Sequence, residues 1–377
     1  MIKAPSNYRK KVETAILFTI IFTGSVMGQD GEESTYDNIW NRVVFYDAPD
    51  NNVLQKFAFT GRLQGDYHKF DDSGGESMSD FNWRRFRIGF KASLFNGLAI
   101  HSEADMDLNN PDSLYKKLTD TNLAWTSPSG MKIKVGRQSA PFTLDVSTSS
   151  KKLYTLERSK VAGNLGFSRE YFPGITFSGK RDNWEYLAGL FSSDHGPEFD
   201  EAFHYGRFAL FSAGYNFKEK LKLDSALIRV DYANQEQDVT NQTPHHKNVT
   251  SLVTKFEKGN LHIWTDLSLS DGYGSQSDLV GLQLMPFYDI TDKTQVVFRY
   301  TYLKSSSGDS IRLSKYEKDL FGSRGSEASE MFLGINHFFY GHELKWQNGI
   351  QYTQMDRASG IEGYDGWGFT SGIRISW

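Results

Sequence analysis

Arg85-Phe86-Arg87-Ile88-Gly89-Phe90-Lys91-Ala92-Ser93-Leu94, the turn Phe95-Asn96-Gly97, and then Leu98 to Leu108 read as one hairpin. Phe86, Ile88, Phe90, Ala92 and Leu94 share one face, and Arg85, Arg87, Lys91 and Ser93 the other. That is the period-two alternation of a strand with one apolar and one wet side. Outward from this hairpin the same device recurs in Lys56 to Tyr67, Met131 to Gln138, Gly174 to Lys180, Leu261 to Ser270, Thr294 to Leu303, Leu344 to Thr353 and Trp367 to Trp377. Asn183 to Phe191 and Phe203 to Tyr215 alternate poorly and are read as strands by position.

The connections alternate in length. Tight turns rich in Gly, Asn, Asp and Pro lie at 95–97, 127–130, 181–183, 217–220, 257–260, 289–292 and 340–343. Longer polar segments lie at 68–80, 109–117, 139–170, 193–203, 233–247, 271–277, 305–328 and 355–364. Seven short turns and eight long loops join sixteen strands. An even number of antiparallel strands with short turns at one end and long loops at the other is the pattern of a transmembrane β-barrel of the bacterial outer membrane. The fold class expected is therefore all-β, a sixteen-stranded antiparallel barrel over residues 55–377 with both termini on the periplasmic side.

Composition points the same way. The chain has 34 Gly, 28 Phe, 19 Tyr, 8 Trp and no Cys, with a mean hydropathy of -0.51. It contains no apolar run long enough for a membrane helix, and without Cys there is no disulfide framework, thiolate metal site, Cys nucleophile or lipoprotein anchor. Lys3, Arg9, Lys10 and Lys11 precede the apolar stretch Ala15 to Phe22, and Val26-Met27-Gly28 offers a cleavage point before Gln29, so residues 1–28 read as a cleaved signal peptide. Residues 29–54 remain as a short leader, part of which packs through Trp40, Val43, Val44, Phe45 and Tyr46. The last strand, ending Ile373-Arg374-Ile375-Ser376-Trp377, alternates up to an aromatic terminus and resembles the terminal signal that barrel-assembly machinery recognises in outer-membrane proteins, where Phe is the commoner last residue.

If the apolar face meets lipid, the opposite face lines the lumen. Alternation places Lys56, Arg62, Arg85, Arg87, Lys91, Lys132, Lys134, Lys180, Arg229, Arg299, Lys345 and Arg374 inside, with Asp66, Glu103, Asp105, Asp107, Asp120, Asp231 and Asp266. Twelve basic against seven acidic residues is a basic wall in a chain of net charge -4, or -7 once residues 1–28 are removed. Rows of Arg and Lys in a pore favour anions, and Arg in particular offers a bidentate fork to oxyanions. The alternative is that these charges only solvate a wet lumen. The longest loop, 139–170, adds Lys151, Lys152, Arg158, Lys160 and Arg169. Folded inward it narrows the pore; folded outward it is a surface loop, and both readings stand.

These residues resemble the phosphate-selective porins O and P. The resemblance is carried by Phe59-Thr60-Gly61-Arg62-Leu63-Gln64, by Arg84-Arg85-Phe86-Arg87-Ile88-Gly89-Phe90-Lys91, and by Val135-Gly136-Arg137-Gln138-Ser139-Ala140-Pro141-Phe142 leading to Glu157-Arg158-Ser159, with a looser likeness at Gly334 to Lys345. It implies a trimeric outer-membrane channel passing small anions, phosphate or polyphosphate among them, with an inward third loop. It also implies strand-borne basic residues at Arg62, Arg85, Arg87 and Lys91 and a loop residue at Arg158. With the inward positions Lys132, Lys134, Arg299, Lys345 and Arg374 these form the expected anion pathway. The partners implied are small anions, outer-membrane lipid, the assembly machinery and two further copies of the chain, with no nucleic acid. The family's dense lysine cluster at the external mouth has no match, and Glu103, Asp105 and Asp107 acidify one wall, so a general or carboxylate or sugar porin is the alternative.

Other motifs carry less. Gly174 to Arg181 approaches a phosphate-binding loop but has Arg181 where Ser or Thr is needed. Asp105 to Asn110 opens like a calcium loop but lacks its Gly and closing Glu, leaving only loose calcium binding by an external loop. His245-His246 reads as solvated. A barrel hydrolase would need Ser, His and an orienter; there is no Gly-x-Ser-x-Gly elbow, and no catalytic residue, metal or cofactor is expected.

Overall fold

The computed structural model describes residues 34–167, 171–194, 196–199, 204–358 and 360–377. The expected signal segment and Arg169 lie outside the described residues. Thr35–Asn41 forms a short helix, α1, begun by a reciprocal Ser34 and Asp37 capping box. It falls in a different compact unit from residues 43–377.

That second unit starts with a short strand, β1 (Val44–Asp47). Sixteen strands follow: β2 (Leu54–Asp72), β3 (Ser77–Leu94), β4 (Leu98–Met106), β5 (Tyr115–Thr126), β6 (Lys132–Ser139), β7 (Tyr171–Arg181), β8 (Trp184–Ser192) and β9 (Arg207–Asn216). The second half comprises β10 (Ser225–Gln235), β11 (His246–Lys258), β12 (Leu261–Gly272), β13 (Leu279–Thr291), β14 (Thr294–Ser305), β15 (Glu327–Tyr340), β16 (Leu344–Asp356) and β17 (Tyr364–Ser376). Each pairs antiparallel with the next, and β17 returns to β2 from Ser376 opposite Arg62 to Gly366 opposite Asp72. The barrel is closed, so its backbone groups are satisfied without lipid or water. Beyond Arg62 the β2 edge would be bare; β1 covers it, Val44 facing Ala58 and Asp47 facing Lys56.

The apolar face points out. Phe59, Ile88, Phe90, Val135, Leu267 and Ile373 are exposed, while Gln64, Arg87, Asp266 and Arg374 are buried. β8 and β9 alternate poorly because both of their faces are apolar. Leu190 and Phe211 face out, whereas Phe191, Phe208 and Leu210 face in and are covered by Phe142 and Phe167 of the 140–167 loop.

The first external connection is much shorter than the expected 68–80. β2 and β3 stay paired as far as Asp71 opposite Ser77, because Phe70 and His68 pack against Tyr316 of the β14–β15 loop, whose nearer strand is three away around the barrel. The long connection between β6 and β7 folds into the lumen and carries two short helices, α2 (Leu144–Ser147) and α3 (Lys160–Leu165). One turn of helix, α4 (Lys218–Leu221), closes the β9–β10 turn. The β14–β15 connection carries α5 (Lys315–Leu320), whose Tyr316 and Glu317 are buried. α3 lies so close to the wall that a Cβ on Gly281 would sit 2.6 Å from Leu165 Cδ1.

Candidate functional site

The inward loop settles the choice left open by sequence, and it is fastened by most of the wall. Thr143 and Leu144 donate backbone N–H bonds to Asp231 and Asp266 at 3.0 and 2.7 Å. Arg229 reaches the Thr143 carbonyl at 3.0 Å. Arg62 donates to Ser150 Oγ at 2.5 Å, Lys345 to the Leu153 carbonyl at 2.5 Å and Asn336 to the Tyr154 carbonyl at 2.8 Å. Arg299 donates to Thr155 Oγ1 and the Glu157 carbonyl at 3.0 and 2.8 Å while pairing with Glu330 at 2.7 Å. Lys160 is held by Glu317, Glu330 and Thr353 at 2.8, 2.5 and 3.1 Å. At the barrel seam the Lys151 ammonium donates to Thr60 Oγ1 on β2 and to the Trp377 carbonyl just past the end of β17, at 3.2 and 2.7 Å.

This fastening sorts the sequence-predicted site residues into two groups. Arg62, Arg299, Lys345 and Arg374 are at most 5% exposed and sit in the joint between loop and wall. Arg374 pairs with Asp66 and Arg62 with Glu103 at 3.0 Å. Lys56 and Lys180, also placed inward by alternation, are largely exposed at the strand ends, paired with Asp47 and Glu185.

Arg85, Arg87 and Arg158 line open space instead. Where the loop stands away from β3, β4 and β5 a cavity of about 480 Å³ remains. Ten basic residues line it, Arg84, Arg85, Arg87, Lys116, Lys117, Arg158, Lys160, Arg312, Lys315 and Lys318, against the acids Asp105, Glu157 and Asp319. Arg87 is held by Asp105 at 3.2 Å and by the Tyr171 hydroxyl at 2.5 Å. Glu103 and Asp105 therefore fix arginines in place more than they acidify the wall, and Asp107 pairs with Lys116 at 3.7 Å. Arg85 donates to Gln64 Oε1 at 2.8 Å, and Arg158 to the carbonyls of Asp145 and Thr148 at 2.8 and 2.9 Å. Among the described residues neither has a carboxylate within ion-pair distance, and the same holds for Lys91, Lys132, Lys134, Lys315 and Lys318.

Arg84 was missed by alternation, which assigns it to the lipid face. The β2–β3 register passes from Gln64 opposite Arg85 to Gly65 opposite Trp83, leaving Arg84 in a β-bulge. A bulge inserts a residue and re-aims its neighbours, so Arg84, Arg85 and Arg87 all enter the cavity. The signal was present: aromatic residues sit at odd positions in Phe81 and Trp83 and at even positions in Phe86 and Phe90. Arg84 grips Glu157 of the inward loop through two hydrogen bonds. Burial alone would raise the Glu157 carboxyl, but the Arg84 guanidinium overrides it and holds the group well below the usual carboxylate range. Burial, followed by the charge on Arg84, pushes the Lys315 ammonium down to about 8.

The basic residues at 116 and 117 come from the start of β5 and those at 312, 315 and 318 from the β14–β15 loop, far apart in sequence, which is why no dense cluster is visible in the chain. His246, expected to be solvated, is 1% exposed and contacts the Asn164 carbonyl at 3.0 Å, anchoring α3. Gly174 to Arg181 is an ordinary run of β7.

Residues 57–220 match the profile of the phosphate-selective porin O and P family. No curated relative matches the chain in sequence. Among solved structures, the OmpF of Salmonella typhi in complex with daunomycin aligns with a TM-score of 0.62 at 12% identity, covering 89% of this chain and 100% of that one. An anion-selective porin from Comamonas acidovorans aligns at 0.60 and 12%, covering 85% and 99%. A trimer form of OmpT, an outer membrane protein of Vibrio cholerae, aligns at 0.54 and 15%, covering 85% and 99%. The fold is that of the porin barrels, and the chain is an outer-membrane protein.

Proposed function

We propose that this barrel, which carries the phosphate-selective porin O and P profile over residues 57–220, is a trimeric outer-membrane channel through which small anions diffuse passively, with oxyanions such as phosphate or polyphosphate preferred. The observation that carries the reading is the cavity lined by ten basic and three acidic residues in a chain whose net charge is -4. Low-dielectric walls focus such a field, so placement outweighs net charge. Arg84, Arg85, Arg87 and Arg158 meet the anion at the constriction, and Lys91, Lys132 and Lys134 continue along the same wall toward the periplasm. Arg62, Arg299, Lys345 and Arg374 hold the loop that shapes the constriction.

Reversal potentials in a salt gradient across planar bilayers test this. Arg85→Glu with Lys91→Glu suits the purpose, because neither residue has a carboxylate partner to strand. The wild type should be anion-selective at low salt and the double variant shifted toward cations. A cation-selective wild type would sink the reading and leave a general porin.

A further inference from the structure

The β14–β15 loop enters the lumen, and its seating is specific. Tyr316 stacks flat on His68 with ring centres 3.8 Å apart, and its hydroxyl donates to Asp66 Oδ2 at 3.2 Å. Glu317 accepts from Lys160 at 2.8 Å and from Gln351 at 2.7 Å. Below α5, Asn164 of α3 exchanges hydrogen bonds with the Arg312 backbone at 2.8 and 3.0 Å. With Tyr316 and Glu317 committed to the wall and to α3, Lys315 and Lys318, three apart and so neighbours on a helix surface, turn to the cavity that Arg85 lines from the wall.

We propose that α5 is a second selectivity element, in which Lys315 and Lys318 act with Arg85 as a composite site for oxyanions carrying more than one negative charge, and in which the Lys160–Glu317 pair is the positioning contact. The inference rests on the anion-channel reading and deepens it. The three cations come from two separate segments, and none has a carboxylate partner among the described residues. A chloride ion gains little from a second donor. An oxyanion with several acceptor oxygens takes the planar fork of an arginine and the ammonium of a lysine at once, so the composite site discriminates by valence and oxygen count.

The test is block of chloride current by inorganic phosphate, with acetate as the singly charged control, in the full-length channel. Lys315→Ala with Lys318→Ala removes half-exposed and exposed side chains and should raise the half-blocking phosphate concentration by on the order of tenfold or more while acetate block changes little. Glu317→Gln leaves both lysines in place and breaks the ion pair to Lys160; it should weaken phosphate block likewise, and Glu317→Asp should restore it. Unchanged phosphate block in the lysine variant, in a channel that is still anion-selective, overturns the role of α5 and leaves the channel reading intact. Unchanged block in Glu317→Gln overturns the positioning contact alone, and equal loss of phosphate and acetate block overturns the discrimination by valence. A wild type that prefers cations removes the reading on which the inference rests.

Discussion

Arg299 on β14 and Arg85 on β3 both project into the lumen from the middle of a strand, and their surroundings differ. Arg299 is 2% exposed, shares Glu330 with Lys160, and spends its remaining donors on the inward loop. Among the described residues Arg85 hydrogen-bonds only to the Gln64 amide oxygen, and it faces open cavity. Arg299 has its charge neutralised in a joint between loop and wall, and Arg85 keeps its charge for a field.

Stability measurements break or sharpen this contrast most directly. Arg299→Met takes one of two cations from the buried Glu330, leaving it Lys160 alone, and removes the donors to Thr155 and the Glu157 carbonyl; it should cost about 3–5 kcal/mol, read as a lower urea midpoint in detergent or lipid and a larger single-channel conductance as the loop loosens. Arg85→Met strands no charge and leaves only the Gln64 amide oxygen without its donor, so it should cost no more than about 1 kcal/mol. Equal losses would erase the distinction between joint and field.

A slightly smaller effect separates the lumen from the lipid face. Phe90→Arg should cost about 2–4 kcal/mol near mid-bilayer, whereas Lys91→Gln, one residue on and facing inward, should leave the urea midpoint almost unmoved. Similar damage at both would mean the faces are misassigned.

The field itself is screened. The reversal-potential difference between the wild type and Arg85→Glu/Lys91→Glu should shrink as salt rises from 0.1 to 1 M, because the Debye length falls from about 10 to about 3 Å. A difference independent of salt would point to a changed pore shape instead of a changed charge.

The smallest expected effect is a pH dependence. Lys315 is held down to about 8 by burial and then by Arg84, so raising the pH from 7 to 9 removes its proton and its charge. Anion preference should therefore weaken across that interval. Lys315→Arg, which stays charged, should flatten the change; an equally steep profile in that variant would assign the titration to another group, such as Lys151, also pushed to about 8 by burial and then by Arg62.

The barrel was legible because its signal is local. Alternation within ten residues and turn chemistry at 95–97 or 181–183 fix strand number and face without knowledge of the partner strand. The site was legible only where alternation holds. It gave Arg85 and Arg87, missed Arg84 at a bulge, and failed to separate Arg85 from Arg299, since both are inward basic residues and only the loop between them differs. The contact of Lys160 with Glu317 and Glu330 spans more than 150 residues in sequence, and nothing near any of the three announces it. The extension of β2 and β3 beyond residue 68 was hidden for the same reason, since its support is Tyr316.

Lys151 touches both sides of the line where the last strand meets the first, bonding Thr60 and Trp377 together. Those two residues are 317 positions apart, and their pairing awaits synthesis as far as Trp377. A loop made early thus acquires its final anchor late. Closure of the barrel and the last fastening of the constriction therefore share one contact.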